Sequence, residues 1–144
     1  MILLDTNVVS AVMKLAANPR VVSWLDQQPT DTLFLSTITI AEIEFGLHNL
    51  PGGRRRRSLA ERFEFFLERG FDRRVLPFDL PASRLYGKLM AHRRSLGRPL
   101  SVLDGQIAAI ARQHRLAVAT RNVRDFEECG VAVVDPFSVD PGGE

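Results

Sequence analysis

Short apolar runs alternate with stretches in which apolar residues recur every three or four positions, a pattern that predicts strands joined by helices along nearly the whole chain. Ile2, Leu3 and Leu4 form a buried strand that runs through Asp5-Thr6-Asn7 into a helix carrying Val8, Val9, Val12 and Met13. Asn18-Pro19 has the order of a helix cap followed by proline in the first turn, and opens a helix with Val21, Val22, Trp24 and Leu25. Leu33–Leu35 is a second strand ending at Ser36, and Thr39-Ile40-Ala41-Glu42 has the spacing of a capping box leading into a helix with Ile43, Phe45, Leu47 and Leu50. Pro51-Gly52-Gly53 breaks that helix. Arg54, Arg55, Arg56 and Arg57 open a longer one in which Leu59, Phe63, Phe66 and Leu67 share a face. Val75–Phe78 is a third strand, and Pro81 starts a helix with Leu85, Leu89 and Leu96 that Gly97 ends. Ser101 caps a helix containing Asp104, Ile107, Ile110 and Ala111. The strand Ala117–Thr120, a short helix from Val123 and the strand Val131–Val134 complete the pattern.

Five short strands alternating with helices predict an α/β domain of three layers, a central and mostly parallel sheet flanked by helices on both faces. At 144 residues and 45% hydrophobic content the chain fits one domain, read here as residues 1–139 with a flexible tail over 140–144. In sheets of this kind the functional crevice lies beyond the carboxyl ends of the strands. Asp5, Glu42 and the stretch Thr120–Asp125 fall at or just past such ends.

Composition narrows the setting. The opening MILLDTNVVS lacks the basic start of a targeting peptide, no apolar run approaches the roughly 18 to 20 residues of a membrane span, and Cys129 is the only cysteine. A soluble, cytoplasmic protein without a membrane partner is the expectation. The net charge of +2 does not by itself announce a nucleic-acid partner. Seventeen of the 19 basic residues are arginine, however, and several stand in clusters: Arg54, Arg55, Arg56 and Arg57 in one, Arg121 and Arg124 in another. Guanidinium suits phosphate because its planar fork donates two hydrogen bonds at once, although a codon bias toward arginine accounts equally for the excess.

Each candidate acid has a local reading beside the functional one. Asp5 ends an almost wholly apolar strand, where a carboxylate is desolvated on one side at a cost of several kcal/mol unless a partner or metal offsets it; it also has the place of a helix cap. Glu42 is the third residue after Thr39, as in a capping box, and Asp104 stands three residues after Ser101, where the helix N-terminus favours an acid. His48, His92 and His114 fall near helix ends or polar faces, which argues against a histidine acid–base pair.

Four fragments, taken in order, resemble the PIN-domain nucleases, specifically the VapC-like toxins of bacterial toxin-antitoxin pairs. They are Ile2-Leu3-Leu4-Asp5-Thr6-Asn7; Leu35-Ser36 with Ile40-Ala41-Glu42; Ser101-Val102-Leu103-Asp104 with Ile107-Ala108-Ala109; and Ala119-Thr120-Arg121-Asn122 with Asp125-Phe126. The resemblance implies that Asp5, Glu42 and Asp104 are catalytic and hold the metal, with Asp125 as a further catalytic acid. Relatives place that fourth acid where either Asn122 or Asp125 stands here, and Thr6, Asn7, Ser36, Thr120 and Asn122 are the implied supporting residues. An oxygen-only ligand set without Cys or His selects hard cations, so Mg2+, with Mn2+ as substitute, is the expected cofactor. The implied activity is metal-dependent endoribonuclease cleavage of tRNA or rRNA, with a small VapB-like antitoxin as partner and a homodimer as the assembly. Arg54–Arg57, Arg121 and Arg124 are candidate RNA contacts. The alternative is a catalytically silent subunit that binds an antitoxin and reaches operator DNA through it.

Overall fold

The computed structural model describes residues 1–14 and 16–138, so the tail expected over 140–144 lies outside the described residues. Strand β1 (Ile2–Leu4) leads into helices α1 (Thr6–Met13) and α2 (Pro19–Asp26). Strand β2 (Leu33–Ser36) follows a 3-10 turn at Thr30–Thr32, and helices α3 (Thr37–His48) and α4 (Arg54–Gly70) lead to β3 (Val75–Leu76). Helices α5 (Leu80–Ser95) and α6 (Val102–Gln113) precede β4 (Ala117–Ala119), a 3-10 turn at Val123–Phe126, and β5 (Val133–Val134).

The five strands form one sheet in the order β3-β2-β1-β4-β5, and every pairing is parallel. The expected mostly parallel sheet is therefore wholly parallel among the described residues. Parallel neighbours need crossovers, the helices supply them, and strands covered on both faces read as the continuous apolar runs seen in the sequence. Leu3 and Leu4, adjacent in the central strand, show the division into layers. Both are fully buried, Leu3 in the core beneath α5 and α6 with Leu89, Ile107 and Ile110, Leu4 in the opposite core with Val8, Trp24 and Phe63.

Helix starts follow local chemistry. Asn18 accepts the N–H groups of Arg20 and Val21 ahead of Pro19, and Ser101 accepts that of Asp104 at 3.2 Å. The capping box expected at Thr39 is not where α3 begins. Ser36 is the cap, with extended backbone and its hydroxyl accepting the Thr39 N–H at 3.1 Å, so the helix starts three residues earlier and Glu42 lies in its second turn. The edge strands are shorter than expected: β3 stops at Leu76 and β5 begins at Val133, each having a neighbour on one side only. The expected short helix at Val123 is the single 3-10 turn.

Strand order places the site. From β1 the chain builds outward through β2 and β3, then returns across the sheet to lay β4 on the other side of β1. The crevice between the ends of β1 and β4 is thus the topological switch point, where α/β sheets bind ligands.

Candidate metal centre at the sheet switch point

Asp5 is the first residue past β1, and Thr120 the first past β4. The Asp5 N–H donates to Ala119 O at 2.9 Å, continuing the β1–β4 ladder by one rung and delivering the carboxyl to the crevice. Asp5 also caps α1, its Oδ1 accepting the Thr6 N–H at 2.8 Å, so the local reading of this residue holds while its carboxyl still lines the crevice. Its Oδ2 accepts the Thr120 hydroxyl at 2.8 Å and has the Asn7 amide nitrogen at 3.3 Å. Thr120 Oγ1 in turn accepts the Asn122 N–H at 3.0 Å, and Asn7 Oδ1 accepts the Arg121 N–H at 3.1 Å. The turn after β4 is thereby laced to the turn after β1.

Glu42 arrives from the other side. The Thr6 hydroxyl donates to its Oε1 at 2.8 Å and lies 3.1 Å from Thr39 Oγ1, which is 3.4 Å from the Ser36 hydroxyl. Ser36 and Thr39 are fully buried, so this row of hydroxyls is an internal brace running from the cap of α3 to Glu42. Thr39, read from the sequence as the first residue of a capping box, is here the middle member of that row. Asp104, half-buried in the first turn of α6, completes the set.

Asp5, Glu42 and Asp104 line one cavity of about 370 Å3 together with Thr6, Asn7, Ser10, Lys14, Arg121, Asn122 and Phe137. Of the two candidates for a fourth position, Asn122 lines this cavity and Asp125 does not. Asp125 still acts on it through charge, since it helps raise the pKa of Asp104. Ser10 and Lys14 were missed by sequence reading, although they follow Thr6 at four-residue steps on one face of α1. Phe137, far away in sequence, gave no signal. Of the arginines proposed as RNA contacts, Arg121 reaches the cavity. Arg55 instead lines a neighbouring cavity of about 380 Å3 that shares Thr6, Ser10, Lys14 and Glu42 with the first, and Arg56 pairs with His48 at 2.7 Å. Arg54, Arg57 and Arg124 line neither cavity.

The electrostatics are those of crowded, partly dehydrated acids. Asp5 is 4% exposed, and burial pushes its carboxyl up to about 6; hydrogen bonds from Thr120 and Thr6 oppose the rise, while the charges of Asp104 and Glu42 add to it. Burial also raises Asp104, against the neighbouring Ser101 hydroxyl and with help from Asp125. Among the described residues no three carboxylate, imidazole or thiol side chains draw close enough to form a ready-made metal cage. The acids share a cavity and leave room between them.

Comparison with known proteins gives the family of the chain. The PIN domain model matches residues 2–131. The chain is 44% identical over 137 residues to the VapC ribonuclease Y4jK of Sinorhizobium fredii, covering 95% of this chain and 98% of that protein. It is 41% identical over 137 residues to the toxin FitB of Neisseria gonorrhoeae, covering 95% and 99%. The solved structure of FitAB bound to an IR36 DNA fragment matches with a TM-score of 0.91 at 39% identity, over 97% of this chain and 98% of that one. Since the family model spans most of the chain and both relatives are similar from end to end, the chain belongs to the PIN-domain family, in its VapC-like toxin branch.

Proposed function

We propose that this chain is the toxin of a toxin-antitoxin pair, an endoribonuclease that hydrolyses phosphodiester bonds of tRNA or rRNA with Mg2+, for which Mn2+ can substitute. The observation that carries this reading is Asp5, a buried carboxylate at the carboxyl end of the central strand, sharing a cavity with two further acids whose charges oppose its ionisation. Such a group is stabilised by a cation or by a proton, and the former is available to a nuclease at neutral pH.

The donor set fits a hard divalent ion. The cavity lining offers carboxylate oxygens from Asp5, Glu42 and Asp104, with the Asn122 amide beside them, and no His or Cys. When bound, such an ion would neutralise charge on the phosphoryl oxygens and lower the pKa of a bound water. The chain's own contribution is positional. Thr120, Asn7 and the Thr6 N–H occupy most of the lone pairs of Asp5 and fix the carboxylate, while the Thr6 hydroxyl, braced by Thr39 and Ser36, holds Glu42. Asn122 lines the cavity with Asp104 and would serve as a neutral ligand or water holder, while Asp125, outside the cavity lining, adds negative charge near Asp104.

The relative named a ribonuclease supports RNA as substrate, and the DNA-bound FitAB complex supports assembly with a small VapB-like antitoxin, through which the pair would reach operator DNA. No helix among the described residues is long and apolar enough to cross a membrane; a cytoplasmic location and a homodimer are part of the proposal. Sequencing of RNA 5′ ends after induced expression without antitoxin tests the activity. Discrete new ends in tRNA or rRNA with the native chain, absent with Asp104→Asn, are expected. No new ends from the native chain would leave the silent, antitoxin-binding subunit as the better reading.

A further inference from the structure

We infer that Lys14 and Arg121 form a two-point clamp for the backbone phosphates on either side of the one that is cut, an inference that rests on the nuclease reading above. The cavity acids carry the same sign of charge as an RNA backbone, so a strand enters against repulsion unless cations face it. Among the described residues lining the cavity, Lys14 and Arg121 are the only basic ones. Both side chains are exposed, and neither makes an ion pair with a described acid, the cavity carboxylates included.

They reach the cavity from different elements. Lys14 follows α1 on the face that carries Thr6 and Ser10, and with those two and Glu42 it also lines the neighbouring cavity. Arg121 follows β4 and lines the first cavity only, in company with Asn122 and Phe137. A strand laid in the cavity of the three acids thus meets one cation from the end of α1 and one from the turn after β4.

Arg121 is also pre-positioned. Its N–H donates to the same Asn7 side chain whose amide nitrogen lies against Asp5, and its guanidinium stacks over the Phe137 ring, 4.0 Å from the centroid. Stacking fixes the plane of the guanidinium and leaves its edge donors free for a phosphate, which accepts from such a fork at two oxygens. Lys14 supplies a point charge of adaptable reach. By contrast, Arg54, Arg57 and Arg124 line neither cavity and Arg55 lines only the neighbouring one, so of the clustered arginines Arg121 alone lines the cavity of the three acids among the described residues.

The test is RNA binding across a salt series, read by anisotropy of a fluorescein-labelled single-stranded oligoribonucleotide, with the full chain carrying Asp5→Asn to suppress cleavage. Lys14→Gln and Arg121→Gln are each expected to weaken binding about tenfold, the scale of one charge-assisted hydrogen bond, and to flatten the slope of log K against log salt by about 0.7. Arg121→Lys keeps the slope and loses part of the affinity, because the charge remains and the fork is gone. Cations that merely neutralised the acids would change melting temperature without changing the slope. Unchanged affinity and slope in both Gln variants, on a parent that binds RNA, overturn the clamp and leave the nuclease reading standing. A parent that binds no RNA, together with a native chain that cleaves none, overturns both.

Discussion

At Asp5, burial and hydrogen bonding pull the carboxyl in opposite directions, and burial prevails. Its pKa rises from the ordinary 3.8 to about 6, so the folded chain holds this proton more tightly than the unfolded chain. The associated stability is fully present below pH 3.8 and is lost as pH rises through 6; a shift of about two units corresponds to roughly 3 kcal/mol. With a chelator present, Asp5→Asn is therefore expected to be more stable than the native chain at pH 8, by an amount that vanishes near pH 4. Mn2+ should restore the native chain at pH 8 and leave the variant unmoved. Thermal melts across this range check both, and a native chain as stable as the variant at pH 8 in chelator would contradict the assignment. Asp5 stood out in the sequence because a carboxylate closing an apolar strand is desolvated on one side, although the cap reading also held. Ser10 and Lys14 were hidden among ordinary helix-face residues, and Phe137 reaches the cavity only through contacts that no local pattern encodes.

The start of α3 shows how one cap decides a site. With Thr39 as the cap, Glu42 would be spent on its own helix; with Ser36 as the cap, Glu42 is free to face Thr6 and the cavity. The sequence pattern placed the cap at Thr39; Ser36 takes that role because it stands directly at the end of β2, in extended conformation, with its hydroxyl on the Thr39 N–H. Ser36→Ala is expected to cost about 1 kcal/mol of stability and, by removing the far end of the hydroxyl row, to lower kcat with little change in KM. Urea denaturation and steady-state cleavage measure the two effects separately. Strand existence was legible from the apolar runs, whereas the extents of β3 and β5 were not. Both lie at sheet edges, where pairing on one side ends sooner than the apolar run that predicts it.

For the whole molecule, the first strand is the middle of the sheet, and both cores close on it. Leu3→Ala and Leu4→Ala remove fully buried side chains from opposite cores, and each is expected to destabilise by roughly 2 to 5 kcal/mol in urea unfolding. A small loss at either position would mean that one layer packs independently of β1. The same centrality brings the carboxyl ends of β1 and β4 side by side, so acids distant in sequence meet in one cavity. The alternation of strands and helices conveyed the α/β class. The strand order, and with it the meeting of Asp5 with Thr120, is a tertiary property that motif resemblance implied and local periodicity did not. The central claim is that this cavity cleaves RNA through a cation held by Asp5. Its most direct test is the cleavage rate of a labelled tRNA by the purified native chain and by Asp5→Asn, each with Mn2+ and with chelator. Cleavage by the native chain with Mn2+ alone, falling by about a hundredfold or more in Asp5→Asn, is the predicted result. Equal rates for the two chains, or cleavage that persists in chelator, would contradict it.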